Sequence, residues 1–221
     1  MAVKPQLACF ERLGAPGYEA LAEVIAAARG AGLLVVADGK RGDVPVSAAV
    51  YGEALFGDPP GLTADAATAN PLMGADAIEP LVAAAERAGA GVFALVRTSN
   101  PGAADLLDLP TPGGPVHEHL ASLVAANADR LAGEGGLSGM GAVVGATEPA
   151  HLARLRELMP VSVFLIPGVG AQGGDPAQLG PAMGPHPASI LVAASRSIAT
   201  AGDPAAAADA LRAQLWSLKA G

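Results

Sequence analysis

The sequence predicts an α/β fold, a barrel of the (β/α)8 type in which seven strand–helix units are present. Three observations support this. Short runs of Val, Ile, Leu and Ala alternate with longer Ala-rich stretches of helical period. Residues are 51% hydrophobic but only 3% aromatic, as in a parallel sheet of small aliphatic side chains covered by helices. A polar residue or a glycine-rich turn follows every predicted strand, as at the mouth of a barrel.

The predicted elements alternate without a second composition regime or a long linker, which indicates a single domain over residues 1–221. Seven units fit either an open doubly wound sheet or a TIM-type barrel that lacks one unit, and the polar strand ends favour the barrel. The predicted strands are Ala2–Ala8, Leu33–Asp38, Ala64–Ala69, Gly91–Arg97, Met140–Gly145, Val161–Ile166 and Ser189–Ala194. The predicted helices are Gly17–Ala28, Val46–Leu55, Ile78–Arg87, Val116–Leu131, Pro149–Leu158, Pro176–Ala182 and Pro204–Leu218.

The composition bears on partners and location. A formal charge of −8 argues against nucleic acid, although a few local donors can still bind a phosphorylated small molecule. The single cysteine, Cys9, has no internal disulfide partner and suits a reducing cytosol. No apolar run reaches membrane-spanning length and the N-terminus lacks signal-peptide organisation, so we expect a soluble, cytoplasmic protein without a membrane partner.

The densest group of charged residues is Asp38, Lys40 and Asp43, at the end of a buried strand. Residues two apart on an extended segment point the same way, so Asp38 and Lys40 share one side, within reach of Lys4 at the neighbouring strand end. In a partly dry cavity such charges support one another's ionisation. The alternative is an ordinary surface salt bridge, but the preceding strand is too apolar for a surface edge, which favours a functional array.

Two segments near the C-terminus are predicted to bind phosphate. The segment 167–174 is rich in glycine, which lets backbone N–H groups approach an anion closely. Ser195 and Arg196 follow the last strand, where a guanidinium can bind phosphate in a bidentate way. A glycine-rich loop alone can be a plain turn, but its pairing with an arginine on the adjacent strand end strengthens the prediction.

Thr98 and Ser99 end the fourth predicted strand, and Asn70 ends the third. Their polar groups could bind the edge of a ligand ring or merely stabilise a turn, and spacing leaves both possibilities open.

The histidines, by contrast, fall on helices and loops rather than at strand ends. They are predicted to be surface residues, and no metal site is expected. The four are His117, His119, His151 and His186.

Several motifs together resemble one family. Asp38-Gly39-Lys40-Arg41-Gly42-Asp43-Val44 with Ser47 is similar to the Asp-x-Lys-x-x-Asp-Ile-x-x-Thr signature of the orotidine 5'-phosphate decarboxylases. The other motifs follow the order of the bacterial subgroup with longer chains. They are Lys4-Pro5-Gln6, Asn70-Pro71, Thr98-Ser99-Asn100-Pro101-Gly102, Val144-Gly145-Ala146-Thr147, the segment 167–173 and Ser195-Arg196.

The resemblance implies decarboxylation of orotidine 5'-monophosphate to uridine 5'-monophosphate in pyrimidine biosynthesis, without metal or other cofactor. Lys40 would protonate C6 of the pyrimidine as carbon dioxide leaves. Asp38 would lie beside the substrate carboxylate, and Lys4 and Asp43 would complete the charged network. Asp43 and Ser47 would act across the interface of a homodimer with shared active sites.

The resemblance also implies the substrate contacts. Ser99 would hydrogen-bond the pyrimidine, and Gln172 and Arg196 would hold the 5'-phosphate. Further substrate-binding positions would be Asn70, Thr98, Pro167, Gly168 and Ser195.

Three departures from the family pattern stand out. Ser47 replaces the usual Thr but keeps the hydroxyl, and Leu72 stands where the subgroup often has Tyr. The family has a further βα unit before the Lys-Pro-Gln strand, with an Asp that binds the ribose. We therefore expect an N-terminally truncated chain, less active or less stable than an extended version.

Two other functions are possible. One is a metal-dependent sugar-phosphate decarboxylase or lyase of the same suprafamily, with Asp38 and Asp43 near the metal. The other is a non-catalytic, nucleotide-phosphate-binding remnant. Lys-Pro-Gln and Thr-Ser-Asn-Pro-Gly speak against the first, and the intact charged array speaks against the second.

Overall fold

The computed structural model describes residues 1–59, 61–146, 149–169, 173–184 and 186–218. The chain forms two compact units. The first comprises Met1–Leu95 and Asp129–Leu131, and the second comprises Val96–Ala128 and Ala132–Gly221. No helix among the described residues is long and apolar enough to cross a membrane.

The first unit is a parallel sheet with helices between its strands. In sheet order, each strand pairs in parallel with the next one along the chain. The strands are β1 (Ala2–Val3), β2 (Leu34–Arg41), β3 (Ala66–Ala69) and β4 (Gly91–Arg97), whose last two residues belong to the second unit. The helices are α1 (Leu7–Glu11), α2 (Ala15–Gly30), α3 (Pro45–Phe56) and α4 (Ala75–Ala88).

Helix periodicity explains how the first unit builds its core. On α2 the buried residues Leu21, Ile25 and Ala28 recur at the spacing of one helix face. The strand β3 is buried at all four positions, as expected for a parallel strand covered on both sides.

The second unit contains three parallel strands, β7 (Ser138–Val144), β8 (Ser162–Ile166) and β9 (Ile190–Val192). A short antiparallel pair, β5 (Pro110–Thr111) and β6 (Gly114–Pro115), precedes them. Large fully buried side chains of this unit include Met140, Leu152, Leu155, Phe164 and Ile166. The helices are α5 (Ala103–Leu107), α6 (Val116–Ala126), α7 (Pro149–Leu158), α8 (Arg196–Ala199) and α9 (Pro204–Trp216).

A buried arginine of α7, Arg156, lies near the amino-terminal ends of two strands of this unit. Its guanidinium donates to the carbonyls of Ser162 (2.7 Å), which begins β8, and Ser189 (3.1 Å), which precedes β9. It also stacks on the Phe164 ring, 3.7 Å from the ring centre. The second unit therefore ties these strand ends together through one side chain.

Three predicted elements differ from the structure by more than a shift of their ends. The predicted strand Ala2–Ala8 is a strand only over Ala2–Val3, and the chain turns helical at Leu7. Pro5 has no N–H for a strand ladder, so the pairing continues only through the Pro5 carbonyl, which accepts from the Asp38 N–H at 3.0 Å, and through a bridge between Gln6 and Asp38.

The predicted helix Pro176–Ala182 is instead two 3-10 turns, Pro176–Gln178 and Gly180–Ala182. Pro181 interrupts any α-helix through this segment because it lacks the N–H for the i to i−4 bond. The predicted helix Val116–Leu131 ends at Ala126 and is followed by a 3-10 turn, Ala128–Leu131. The other predicted strands and helices are found with shifts of a few residues at their ends.

Candidate active site

Asp38 is the centre of a charged cluster in the first unit, and it is only 7% exposed. Its Oδ2 accepts a hydrogen bond from Lys4 Nζ. Its Oδ1 accepts from Lys40 Nζ at 2.6 Å and from Thr68 Oγ1 at 2.9 Å. Both oxygens of the buried carboxylate thus accept hydrogen bonds, which allows a charge to be kept in a protein interior.

An irregular stretch of β2 gives Lys40 its position. The register with β3 shifts between Ala37 and Arg41, and bulges of this kind re-aim side chains. Lys40 has a φ of 50°, a left-handed conformation that costs roughly 1–2 kcal/mol for a residue with a Cβ. Its N–H donates to Thr68 Oγ1 at 2.9 Å, which holds this backbone conformation. Lys40 and Asp38 therefore lie on the same side, as predicted, but in an irregular stretch rather than in a regular strand.

The electrostatics of the cluster favour an ionised Asp38. Burial acts to raise the pKa of this carboxyl, but hydrogen bonds from Lys4 and Lys40 outweigh it and the pKa lies below its usual value. The Lys40 side chain is 47% exposed, so the ammonium is anchored at Asp38 yet open to a ligand or solvent. The cluster can hold a cationic proton donor at a fixed place.

Thr68 belongs to this cluster but was not identified from the sequence. It is buried on β3 and donates to the same Asp38 oxygen that Lys40 contacts. The sequence could have indicated Thr68, because its hydroxyl is the single polar side-chain group in a strand otherwise made of alanine, and a buried polar group needs a hydrogen-bond partner.

Asp43 and Ser47 stand apart from the cluster within one chain. Asp43 Oδ1 accepts from the Val44 N–H at 2.7 Å, and among the described residues it makes no hydrogen bond or ion pair with Lys4 or the other cluster members. Ser47 lies in the first turn of α3 and is half-buried.

Asn70 lies against the end of the motif. Its N–H donates to the Arg41 carbonyl at 2.7 Å, and its Oδ1 accepts from the Leu72 N–H at 3.1 Å. A Cβ on Gly42 would lie 2.3 Å from the Asn70 carbonyl oxygen, so only glycine permits this approach. Within one chain, the side-chain amide of Asn70 therefore stabilises a turn.

In the second unit, Thr98 and Ser99 follow β4. Thr98 Oγ1 donates to Asn100 Oδ1 at 2.7 Å, which stabilises the turn. Ser99 packs so closely on Gly145 that a Cβ there would lie 2.8 Å from its Cα and Cβ. The Gly145 N–H also donates to the Arg97 carbonyl at 2.8 Å, which fixes the strand end on which Ser99 stands.

The histidine prediction is wrong for His117, which is buried. His151 is half-buried, whereas His119 and His186 are exposed as predicted. The periodicity of α6 could have predicted this burial, because His117 shares the buried face of the helix with Leu120 and Val124.

Ligand atoms of Asp108, His117 and His151 lie within 4.8 Å of one another. Arg97 donates to both Asp108 oxygens, and His117 Nδ1 lies 2.9 Å from the Leu107 carbonyl, which can only accept. His117 Nδ1 therefore carries the proton. Both oxygens of the Asp108 carboxylate accept hydrogen bonds from the Arg97 guanidinium. Hydrogen bonds from Arg97 lower the pKa of Asp108 more than burial raises it. The group suits an ion-pair network better than a cation site.

The predicted phosphate loop begins at Pro167, whose carbonyl accepts from the Ala146 N–H at 3.0 Å. Gly168 is buried, and its carbonyl accepts from the Gly174 N–H at 3.0 Å, which closes the loop. Gln172 lies outside the described residues.

Ser195 and Arg196 lie where α8 begins, directly after the β9 segment. Both are exposed. The described parts of the two segments that are predicted to bind phosphate therefore lie in the second unit, and phosphate binding by either segment remains a prediction.

Comparison with known proteins gives the family. A model of the orotidine 5'-phosphate decarboxylase / HUMPS family matches residues 1–211. The chain is 44% identical over 201 residues to an orotidine 5'-phosphate decarboxylase of Rhodopirellula baltica, a match covering 89% of this chain and 66% of the relative. It is 44% identical over 197 residues to the one of Deinococcus radiodurans, covering 89% and 70%. The chain thus spans about two thirds of the length of these relatives.

The structure of Leishmania donovani OMP decarboxylase is also similar, with a TM-score of 0.80 and 37% identity over 98% of this chain and 82% of that one. Together with the parallel strand–helix units, this likeness confirms the predicted TIM-barrel type of α/β fold, with seven parallel strands among the described residues. The chain belongs to the orotidine 5'-phosphate decarboxylase / HUMPS family.

Proposed function

We propose that this chain is a carboxy-lyase that converts orotidine 5'-monophosphate to uridine 5'-monophosphate, in de novo pyrimidine biosynthesis, without a metal or cofactor. The observation that carries the proposal is the Lys4–Asp38–Lys40 cluster, in which a buried, ionised carboxylate anchors an accessible ammonium. The names of the relatives at 44% identity support the same activity.

Lys40 is the proton donor in this proposal. When the bond between C6 and the carboxylate breaks, carbon dioxide leaves and the electron pair stays on C6. A fixed ammonium stabilises that charge without solvent reorganisation and then transfers its proton to C6. The neutral amine regains a proton from water, which the exposure of Lys40 allows.

Asp38 keeps Lys40 in the place that this step needs. A carboxylate oxygen 2.6 Å from Nζ accepts a hydrogen bond from the ammonium group and restricts the side chain. Lys4 balances the second carboxylate oxygen, so that Asp38 stays ionised despite its burial.

The other residues that the family resemblance implies are proposed to bind the rest of the substrate. Ser99 hydrogen-bonds the pyrimidine, with Thr98 beside it, and Arg196 and Gln172 hold the 5'-phosphate. Further contacts come from Asn70 in the first unit and from Pro167, Gly168 and Ser195. Phosphate binding far from C6 supplies energy that can be used in the transition state.

We also propose a homodimer in which Asp43 and Ser47 act in the partner's site. Two observations support this. Asp43 is separate from the cluster of its own chain, among the described residues. The neighbouring valines Val44, Val46 and Val50 are exposed, and an apolar surface of this kind suits a protein–protein contact. A cytoplasmic location is proposed as well, which suits the free Cys9.

The metal-dependent alternative is disfavoured by the contacts of Asp38. Both of its oxygens accept hydrogen bonds from lysine ammonium groups, which compete with a cation for the same lone pairs. Addition of a chelator should therefore leave turnover unchanged.

The test is turnover of orotidine 5'-monophosphate by the purified chain, followed as release of carbon dioxide and formation of uridine 5'-monophosphate. We expect Lys40→Ala to lose about 10³-fold in kcat, as for removal of a general acid. The matched control is Arg212→Ala, which removes an exposed cation from α9 and should leave kcat unchanged. Binding of uridine 5'-monophosphate without turnover would instead support the non-catalytic alternative.

A further inference from the structure

Arg97 and Asp108 close the two ends of the loop that carries Thr98 and Ser99. Arg97 ends β4 and Asp108 follows α5, so the segment 98–107 lies between them. Arg97 Nε donates to Asp108 Oδ1 at 2.7 Å and Nη2 donates to Oδ2 at 2.9 Å. Such a bidentate pair fixes geometry as well as charge. We call this pair the loop clasp.

The same guanidinium also reaches into the loop. Arg97 Nη1 donates to the Thr98 carbonyl at 2.5 Å, one peptide before Ser99. Arg97 is buried, so its planar fork is held by surrounding structure rather than by solvent. The Arg97 side chain therefore fixes the backbone at Thr98, immediately before Ser99.

His117 holds the other end of the loop. Its Nδ1–H donates to the Leu107 carbonyl at 2.9 Å and lies 3.1 Å from Asp108 Oδ1. The ring packs edge-on against His151, with ring centres 4.9 Å apart. Because His117 is buried in the first turn of α6, it connects the clasp to a helix of the core.

Ser99 is also in close contact with Gly145, the residue after β7. The absence of a side chain there permits the close contact between the two backbones. The turn therefore contacts both the clasp and the end of a core strand.

We propose that Arg97, Asp108 and His117 are positioning residues that fix Ser99 for recognition of the pyrimidine ring. The inference rests on the proposed function, which assigns Ser99 to the pyrimidine. The three residues act through the loop, without contact to the substrate. Arg97 is the member whose loss matters most, because it bonds to both ends of the loop.

The test compares a ligand that has the pyrimidine with one that lacks it. Affinities for uridine 5'-monophosphate and ribose 5-phosphate are measured by calorimetry for the purified chain and its variants. Arg97→Lys keeps the charge but loses the bidentate fork. The matched control is Arg154→Lys, which breaks an exposed bidentate pair with Glu118 in the same unit.

We expect Ser99→Ala and Arg97→Lys each to weaken uridine 5'-monophosphate binding on the order of tenfold, as for loss of one hydrogen bond. The double variant should be no weaker than either single one, because both remove the same contact. Ribose 5-phosphate affinity should stay unchanged throughout, and Arg154→Lys should behave as the parent does. Hydrogen exchange of the 98–102 amides should accelerate in Arg97→Lys alone, with the melting temperature recorded for each variant.

The inference is overturned if Arg97→Lys keeps the preference for uridine 5'-monophosphate over ribose 5-phosphate, or if the losses in the double variant add. The inference is also overturned if Ser99→Ala binds both ligands as tightly as the parent does. In that case the proposed function still holds, provided that the parent turns over orotidine 5'-monophosphate. If the parent neither turns over that substrate nor distinguishes the two ligands, the proposed function itself fails.

Discussion

Asp38 in the first unit and Arg156 in the second are both buried charges, 7% and 9% exposed, but their partners differ in kind. Asp38 is neutralised by two lysine ammonium groups, and one of them, on Lys40, reaches solvent. Arg156 has no acidic partner among the described residues and donates instead to backbone carbonyls. Burial lowers the pKa of Arg156 to about 10, so it remains charged at neutral pH.

The positions of the two charges match this difference. Asp38 lies toward the carboxyl-terminal end of β2, and Arg156 contacts the amino-terminal ends of β8 and β9. In folds of this type the carboxyl-terminal ends of strands carry function and the opposite ends carry stability. A buried charge with an anchored but accessible counter-charge suits chemistry, whereas a buried charge held by backbone carbonyls stabilises the fold.

The largest expected effect is on activity, from Asp38→Asn. The neutral amide of Asn has one acceptor oxygen and no charge, so Lys40 loses the carboxylate that anchors its ammonium group. We expect kcat to fall about 10³-fold. The free energy of unfolding should fall only on the order of 1 kcal/mol, since both lysines can turn to water. Steady-state kinetics measure kcat, and urea unfolding measures the free energy of unfolding. A kcat of Asp38→Asn equal to that of the parent would show that Asp38 has no part in the mechanism.

Arg156→Met should show the reverse pattern. Without the guanidinium, the carbonyls of Met159, Ser162, Ala182 and Ser189 lose a buried donor. We expect a loss of about 3–5 kcal/mol in the free energy of unfolding, with kcat of the remaining folded protein within a few-fold of the parent. Arg212→Met is the control on an exposed helix. A loss below about 1 kcal/mol would mean that water replaces the arginine.

A mixing experiment sharpens the distinction between residues that act in their own chain and those proposed to act in a partner. Asp43→Ala and Lys40→Ala should each be nearly inactive. If Asp43 serves the partner's site, random mixing gives one intact site in half of the dimers, and about a quarter of the parent activity returns. Mixing the two after dissociation and refolding, with activity measured against total protein, tests this. Activity equal to the average of the two variants would place Asp43 in its own chain's site.

The smallest expected effect is on acid stability. The pKa of Asp38 is lowered in the folded state, so its contribution to stability is present above the unfolded pKa of about 3.9 and is lost as pH falls through the folded pKa. The parent should therefore lose more stability than Asp38→Asn between neutral pH and strongly acidic pH. Parallel urea titrations at several pH values measure this difference. Identical pH profiles would show that the folded carboxyl is not stabilised in its ionised form.

The sequence was sufficient for the features that depend on local order. Alternating apolar runs predicted the strands, and a charged motif at a strand end predicted the grouping of Asp38, Lys40 and Lys4. Pro5 also carried a local signal against a long first strand, which the apolar pattern around it obscured.

Features that depend on contacts far apart in the chain could not be predicted. Thr68 joins the cluster because β3 lies beside the bulge of β2, and no spacing rule gives that pairing. Arg156 looks like any charged helix residue until its carbonyl partners are known. The loop clasp joins residues on both sides of α5, and the buried His117 that contacts Asp108 comes from the next helix.

In the proposed mechanism an ammonium group at position 40, anchored by Asp38, donates the proton. The most direct measurement is chemical rescue of Lys40→Cys in a Cys9→Ser background, with 2-bromoethylamine used to alkylate the thiol and restore an ammonium at nearly the same reach. We expect the unmodified variant to be inactive and the alkylated one to recover kcat to within about tenfold of the parent. Full alkylation by mass spectrometry, with an intact fold and no recovery of turnover, would contradict the claim.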